Sequence, residues 1–288
     1  MTNFQFNTSK RELWIKLIVT YLEEADKLKD KKILLCFGGL SVDSLRPELI
    51  VSLACFIEAL AQKKFSIHLD KTDVGKYLFE SLRFREYWAG QKNFAVPADN
   101  NVFNLWRITE EQKENYGHNV TQYLNSHFYK EKDLSAIQNS ITEACYNVLD
   151  HAQANGNGFS FIMYNEKSHQ LQVAVCDFGI GIAESVRRAY PKITSDRDAL
   201  SKAIEANFTV KSMPYNGGMG LDNIRLSCTE DEYLTIISNG AFLLSNNDNV
   251  RTSNLDCYFK GSLICFGINI SDYQDKGEEI DSFNLNFL

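Results

Sequence analysis

Residues 134–182, LSAIQNSITEACYNVLDHAQANGNGFSFIMYNEKSHQLQVAVCDFGIGI, change periodicity in the middle, and that change sets the fold class. Leu134, Ile137, Ile141, Ala144, Cys145 and Val148 recur at helical spacing, about 100° per residue, and make one apolar stripe. From residue 159 the pattern becomes that of strands. Residues 159–164 and 171–176 flank Asn165-Glu166-Lys167-Ser168-His169, which reads as a hairpin. Helices laid on one face of a mostly antiparallel sheet form an α+β sandwich.

The polar residues of this stretch carry the candidate chemistry. Glu143 and Asn147 are four apart, so they stand one above the other on a face away from the stripe, with Asp150. A carboxylate beside an amide oxygen suits Mg²⁺, which takes oxygen ligands and keeps several waters. The same carboxylate can polarise a water as a general base. The face also serves, with no ligand, as the solvated side of an amphipathic helix.

Leu171, Val173 and Val175 alternate as a half-buried strand does, and Asp177 follows at its end, before Gly179 and Gly181. An ionised carboxylate only accepts hydrogen bonds, so Asp177 can receive a donor such as an adenine amino group. The glycines let backbone approach a flat ligand. An ordinary turn aspartate fits the same residues. Residue 184 is Glu where a third glycine would complete a dinucleotide fingerprint.

Asn216-Gly217-Gly218-Met219-Gly220 precedes an expected helix at 221–226. Backbone N–H groups ahead of a helix suit phosphate oxygens, and Thr209 and Lys211 could add donors. A flexible loop with a glycine cap is the alternative. No Gly-Lys-Ser/Thr follows, so the loop is not of the Walker type.

Acid–amide, acid–glycine and glycine-lid elements in this order resemble the ATP-binding superfamily of DNA gyrase, chaperone, histidine kinase and mismatch-repair proteins (GHKL, or Bergerat fold). The resemblance covers roughly residues 103–272. Glu143 and Asn147 match the N box. Asp177, Gly179 and Gly181 match the first glycine box, and Gly217, Gly218 and Gly220 match the second. Gly261-Ser262 looks like the late Gly-Thr, with Ser replacing Thr. The resemblance implies that Asn147 binds Mg²⁺, Asp177 holds the adenine amino group, and the second glycine box closes on the phosphates. It implies Glu143 as general base if ATP is hydrolysed. Asp150-His151-Ala152 resembles the end of the N box in anti-sigma-factor kinases, with His151 read as a helix-end residue. No phosphoacceptor motif of the His-Glu-x-x-Asn/Thr-Pro kind precedes the N box, since His118 and His127 lie in other contexts. A conventional sensor histidine kinase is therefore not expected, nor a gyrase-like transducer.

The first part alternates differently. Residues 11–29 have helical spacing, 33–37 read as a strand ending at Gly38-Gly39, Pro47 opens a helix that runs to residue 60, 65–69 read as a strand, and 73–84 as a helix. This alternation predicts a small α/β domain at 1–98, joined through a polar linker at 89–101 to the Bergerat-type two-layer sandwich at 99–288. The small domain is similar to STAS-like domains, the partners of anti-sigma factors. Ser41 and Ser44 occupy the loop where some of those carry a phosphorylatable serine; an ordinary loop serine fits as well.

Composition narrows the class. The net charge of −7 disfavours bulk attraction to nucleic acid or anionic membrane. Seven scattered cysteines without a C-x-x-C pair suggest reduced thiols rather than a zinc site or disulfide framework. No secretory signal is read at the start, and the longest apolar run, 49–60, is too short to span a bilayer. The expectation is a soluble cytoplasmic protein that binds Mg²⁺–ATP and regulates docking between its halves or with a protein partner. Its alternatives are a serine/threonine kinase of the anti-sigma type and a slow ATPase acting as a switch.

Overall fold

The computed structural model describes residues 1–88, 102–103, 105–109, 113–130, 132–152, 158–205, 220–228, 233–246 and 249–273. The expected linker at 89–101, with the boundary at 98/99, lies outside them.

The chain opens with β1 (Thr2–Gln5), α1 (Arg11–Lys27), β2 (Lys32–Cys36), α2 (Pro47–Gln62) and β3 (Ser66–Leu69). These strands form a parallel sheet in the order β1-β2-β3, with Phe4 opposite Leu35 and Ile33 opposite Ile67. Pro47 occupies the first position of α2, where its missing N–H has no helical partner to lose. The helix expected at 73–84 is broken. Thr72 caps α3 (Asp73–Lys76) by accepting from the Gly75 N–H, a π-helical turn spans Tyr77–Ser81, and Arg83 takes a left-handed φ of +57°. After that break comes α4 (Phe84–Trp88).

The second part comprises β4 (Trp106–Arg107), α5 (Lys113–His127), α6 (Ser135–Ala152), β5 (Gly158–Asn165), β6 (Gln170–Asp177), α7 (Ile182–Ala189), α8 (Asp196–Ala203), α9 (Leu221–Ser227), β7 (Leu234–Ser245) and β8 (Val250–Asn269). Its strands run β4-β5-β6-β8-β7 and pair antiparallel throughout. The sequence after residue 233 reads as four short strands, at 233–237, 242–244, 255–259 and 262–270, but it folds as two long ones, β7 and β8, whose register shifts at Ser238 and Asn239. The observed class is α+β, with one parallel and one antiparallel sheet.

Alternate side chains sort onto two cores. Ile162, Leu171, Val173, Val175, Ile236 and Ile264 pack beneath α5 to α9. Phe159, Phe161, Ala174, Cys176, Ile237 and Leu263 point the other way, into a core shared with the first half. The helix that meets them is α2, of whose 16 residues 12 are buried, so it is apolar on every side as only an enclosed helix can be. Phe56 touches Phe4 and Phe6 of the parallel sheet, while the Cys55 thiol donates to the Cys176 carbonyl of β6 at 3.2 Å. The sequence predicted helices on one face only; the opposite face of the five-stranded sheet is covered as well, by the first half of the chain. The layers run sheet, helices, sheet, helices.

Polar latches close both ends of α2. At its start, Glu48 is only 5% exposed and pairs with Arg11 and Arg46, both at 3.1 Å. Arg11 also reaches Thr235 of β7 at 3.3 Å. At its end, Glu58 pairs with Arg107 of β4 at 2.8 Å and accepts from the Trp88 indole at 3.0 Å. Exposing even four of the large apolar side chains of α2 would cost about 6–12 kcal/mol at about 1.5–3 kcal/mol each. That rivals the whole stability of a domain, so the two halves behave as one body.

Candidate functional site

Among the described residues, Glu143, Asn147, Asp177, Gly179, Gly181 and Ser262 gather at one end of the five-stranded sheet. Asn147 lies one turn beyond Glu143 on α6, and its neighbour Val148 rests on Gly158, where an added Cβ would come within 2.6 Å of the Val148 side chain. Gly158 pairs directly with Asp177 across β5 and β6. The turn of α6 that bears Asn147 therefore stands over the strand end that bears Asp177. α9 packs on α6 two turns earlier, where Ser140 and Ser227 hydroxyls meet at 3.1 Å, and Gly220 is the residue before α9. Thr209, Lys211, Gly217 and Gly218 lie outside the described residues.

The Asn147 amide has a defined orientation. Its Nδ2 donates both to the Glu143 carbonyl and to Glu143 Oε1, each at 2.8 Å. With the nitrogen turned inward to Glu143, Oδ1 is the atom left to meet a ligand. An amide oxygen held this way suits a hard cation that keeps most of its waters. Asn147 is 7% exposed, so the pair is a built feature rather than a solvated stripe.

Asp177 is fully buried. Its Oδ1 accepts from the Gly179 N–H at 2.7 Å and its Oδ2 from the Ser262 N–H at 3.1 Å. Burial pushes the carboxyl from its ordinary range up to about 7, with those two N–H groups pulling the other way. A turn aspartate would be satisfied by Gly179 alone and open to water; here a second strand also holds the group. Each oxygen retains a lone pair for a further donor.

The loop after Asp177 is fitted tightly to the sheet. Gly181 has φ +88°, and a Cβ there would lie 2.5 Å from Asn239 Oδ1, 2.6 Å from Ser238 Oγ and 2.7 Å from the Gly261 carbonyl. Gly261, at φ +123°, would place a Cβ 2.1 Å from the Asp177 carbonyl. Neither position admits a side chain. The first three N–H groups of α7 are all satisfied from the sheet: Ile182 donates to Ser262 Oγ at 2.9 Å, Ala183 to Ser238 Oγ at 3.3 Å, and Glu184 to Asn239 Oδ1 at 3.1 Å. The start of α7 is thus closed to an anion. Ser262 serves the site indirectly, since its hydroxyl and its N–H both hold protein groups.

Ser238 and Asn239 escaped the sequence reading. The signal was present, because two polar residues interrupt the apolar run Leu234-Thr235-Ile236-Ile237 just before Gly240, and Asn tolerates a positive φ. Ser41 and Ser44 lie elsewhere. They line a shallow cavity of about 570 Å³ with Asn7, Thr8, Ser9 and Gly39, ahead of α2. Cys55, the point where α2 meets the residue before Asp177, is eight residues beyond Pro47, about 12 Å along the helix. Among the described residues no group of three or more His, Cys, Asp or Glu could hold a metal by itself, and no helix is long and apolar enough to cross a membrane. No protein-family model matches the chain, and no curated protein matches it.

Proposed function

We propose that the protein is a Mg²⁺-dependent ATP-binding regulator of the Bergerat (GHKL) type, working in the cytoplasm, with an STAS-like first half. The observation that carries this reading is Asp177: a fully buried carboxylate at a strand end, held by two backbone N–H groups, beneath the turn of α6 that bears Asn147. In this reading Asp177 accepts the adenine amino group, Asn147 Oδ1 takes a place on the cation, and Gly217, Gly218 and Gly220, with Thr209 and Lys211, receive the phosphates. The fit is chemical: a carboxylate that, once ionised, only accepts, for a donor; an amide oxygen for a hard ion; and glycines where a Cβ would fill the cradle. Glu143 would serve as general base if water attacks.

The core shared through α2 favours a protein partner over movement between the halves as the thing regulated. Ordering of the glycine lid by nucleotide would then change the surface that the partner meets. Phosphoryl transfer to a partner serine remains the second reading. Transfer within the chain to Ser41 or Ser44 is disfavoured, because those serines precede α2, whose start lies beside Gln170 and Gln172, at the end of β6 opposite to Asp177.

Purified protein with radiolabelled ATP separates the outcomes. Bound nucleotide without turnover supports the switch, label on a protein serine supports the kinase, and free phosphate supports the ATPase. Unchanged ATP affinity in both Asn147→Ala and Asp177→Ala would sink the shared premise.

A further inference from the structure

The floor under the glycine loop is made by two side chains from a single irregularity in β7. Pairing with β8 slips at Ser238 and Asn239, and Asn239 takes a left-handed φ of +55°. Both side chains are fully buried. Asn239 Nδ2 donates to the Ile180 carbonyl at 2.9 Å and to the Tyr258 hydroxyl at 3.0 Å, while Oδ1 accepts from the Glu184 N–H at 3.1 Å. One amide thereby grips the loop just before Gly181 and the first turn of α7 just after it. Ser238 Oγ donates to the Gly261 carbonyl at 2.9 Å, and Gly261 immediately precedes the N–H that holds Asp177.

A buried amide is costly unless each of its polar atoms is paired, and a left-handed non-glycine residue persists only where its surroundings fix it. Both conditions are met at Asn239. The arrangement also explains the bare Cα of Gly181, since the space of its missing Cβ is taken by the Asn239 and Ser238 oxygens. Stability alone would be served by an ordinary ladder pair at this position. What the bulge adds is a fixed distance between sheet and loop, and hence a fixed placement of the Asp177 carboxylate, whose Oδ1 is held by Gly179 of the same loop.

We propose that Asn239 is a positioning residue for base recognition: it sets the height of the 179–181 loop so that Asp177 meets a donor on the ligand's base. This rests on the nucleotide reading above. Asn239 acts through Asp177 and the loop, not on the ligand itself.

The test compares affinities for ATP and for purine riboside triphosphate, which lacks the exocyclic amino group, by titration calorimetry with Mg²⁺. A hydrogen bond to a charged group supports a preference for ATP of about tenfold or more. Asn239→Gly keeps a residue at ease with positive φ and removes both arms of the amide. The expected result is collapse of the preference to within about twofold, with phosphate-driven binding of both nucleotides retained. A loss of general stability would weaken both ligands alike and leave the ratio unchanged. If the glycine variant does not fold, Asn239→Asp carries the test: it still accepts from Glu184 but no longer donates to Ile180, and the preference should again collapse. A preserved ratio in the folded variant overturns the proposal while the nucleotide reading stands. A wild-type protein with no preference for ATP, or a preference that survives Asp177→Ala, overturns the underlying reading instead.

Discussion

Asp177→Asn removes a proton site that the fold holds in an unusual state. The folded carboxyl keeps its proton up to about pH 7, whereas the unfolded side chain loses it near its ordinary 3.8. Between those values the folded protein binds more protons than the unfolded chain, so this group's contribution to stability falls as pH rises. The contribution is fully present below about pH 4 and is lost once the pH passes about 7. From about pH 5 to about pH 8 the loss is close to two decades at about 1.36 kcal/mol each, or about 2.7 kcal/mol. The assay is urea unfolding of wild type and Asp177→Asn at both pH values. The variant lacks the titration but shares every other carboxylate, so the difference between the two proteins isolates Asp177. That difference should shift by about 2–3 kcal/mol against wild type on going to the higher pH. A flat difference would mean that the folded carboxyl titrates in the ordinary range, and the argument from burial would fail. On the nucleotide reading affinity moves the other way. A base amino group is accepted by the ionised form, so ATP should bind more tightly as pH climbs through about 7, up to about tenfold per pH unit below that value.

Glu143→Gln retains a side-chain oxygen for Asn147 Nδ2, whereas Glu143→Ala leaves only the backbone carbonyl to hold the amide; calorimetry with Mg²⁺ and with EDTA should show near wild-type Mg²⁺-dependent affinity for Gln and a loss of up to about tenfold for Ala. Equal affinities in all three proteins would remove the orienting role. Gly261→Ala places a Cβ against the Asp177 carbonyl and should cost about 3 kcal/mol or more, read as a lower urea midpoint. Glu58→Ala leaves the half-buried Arg107 without its carboxylate and should cost about 1.5–3 kcal/mol at unchanged m-value. A loss under about 1 kcal/mol would show that the latch does not hold α2 to β4.

The α6 stripe and the β5–β6 hairpin were legible because one period rules each: every buried position of the stripe is apolar and the hairpin turn is polar. β1 was not, since four residues with Asn3 and Gln5 outward carry little signal. β7 and β8 looked like four strands because Asn239-Gly240 and Lys260-Gly261 read as turns, yet tertiary pairing carries the chain through both as irregularities of long strands. Arg83 reads as an ordinary helical residue, so the break there was invisible. Of the site, Glu143, Asn147, Asp177 and the glycines were readable as types at spacings. The amide's orientation and the double hold on Asp177 were not, because both depend on residues brought from elsewhere in the chain. The run 49–60 carried a further signal in plain view: a helix apolar all round must be enclosed, and one small sheet cannot enclose it.

That enclosed helix bears on how the protein is made. Synthesis delivers α2 well before β5, β6 and β8, the strands that cover it, which follow roughly 100–200 residues later; at about 5–20 residues per second the wait is about 5–40 s. Through that interval a nascent chain with its first sheet in place still presents to solvent the side of α2 that bears Cys55 and later meets β6, as a ready ligand for holding chaperones. A truncated product ending before β5 would keep this apolar face open permanently, and splitting the gene between its halves would yield two fragments that each lack the other's wall.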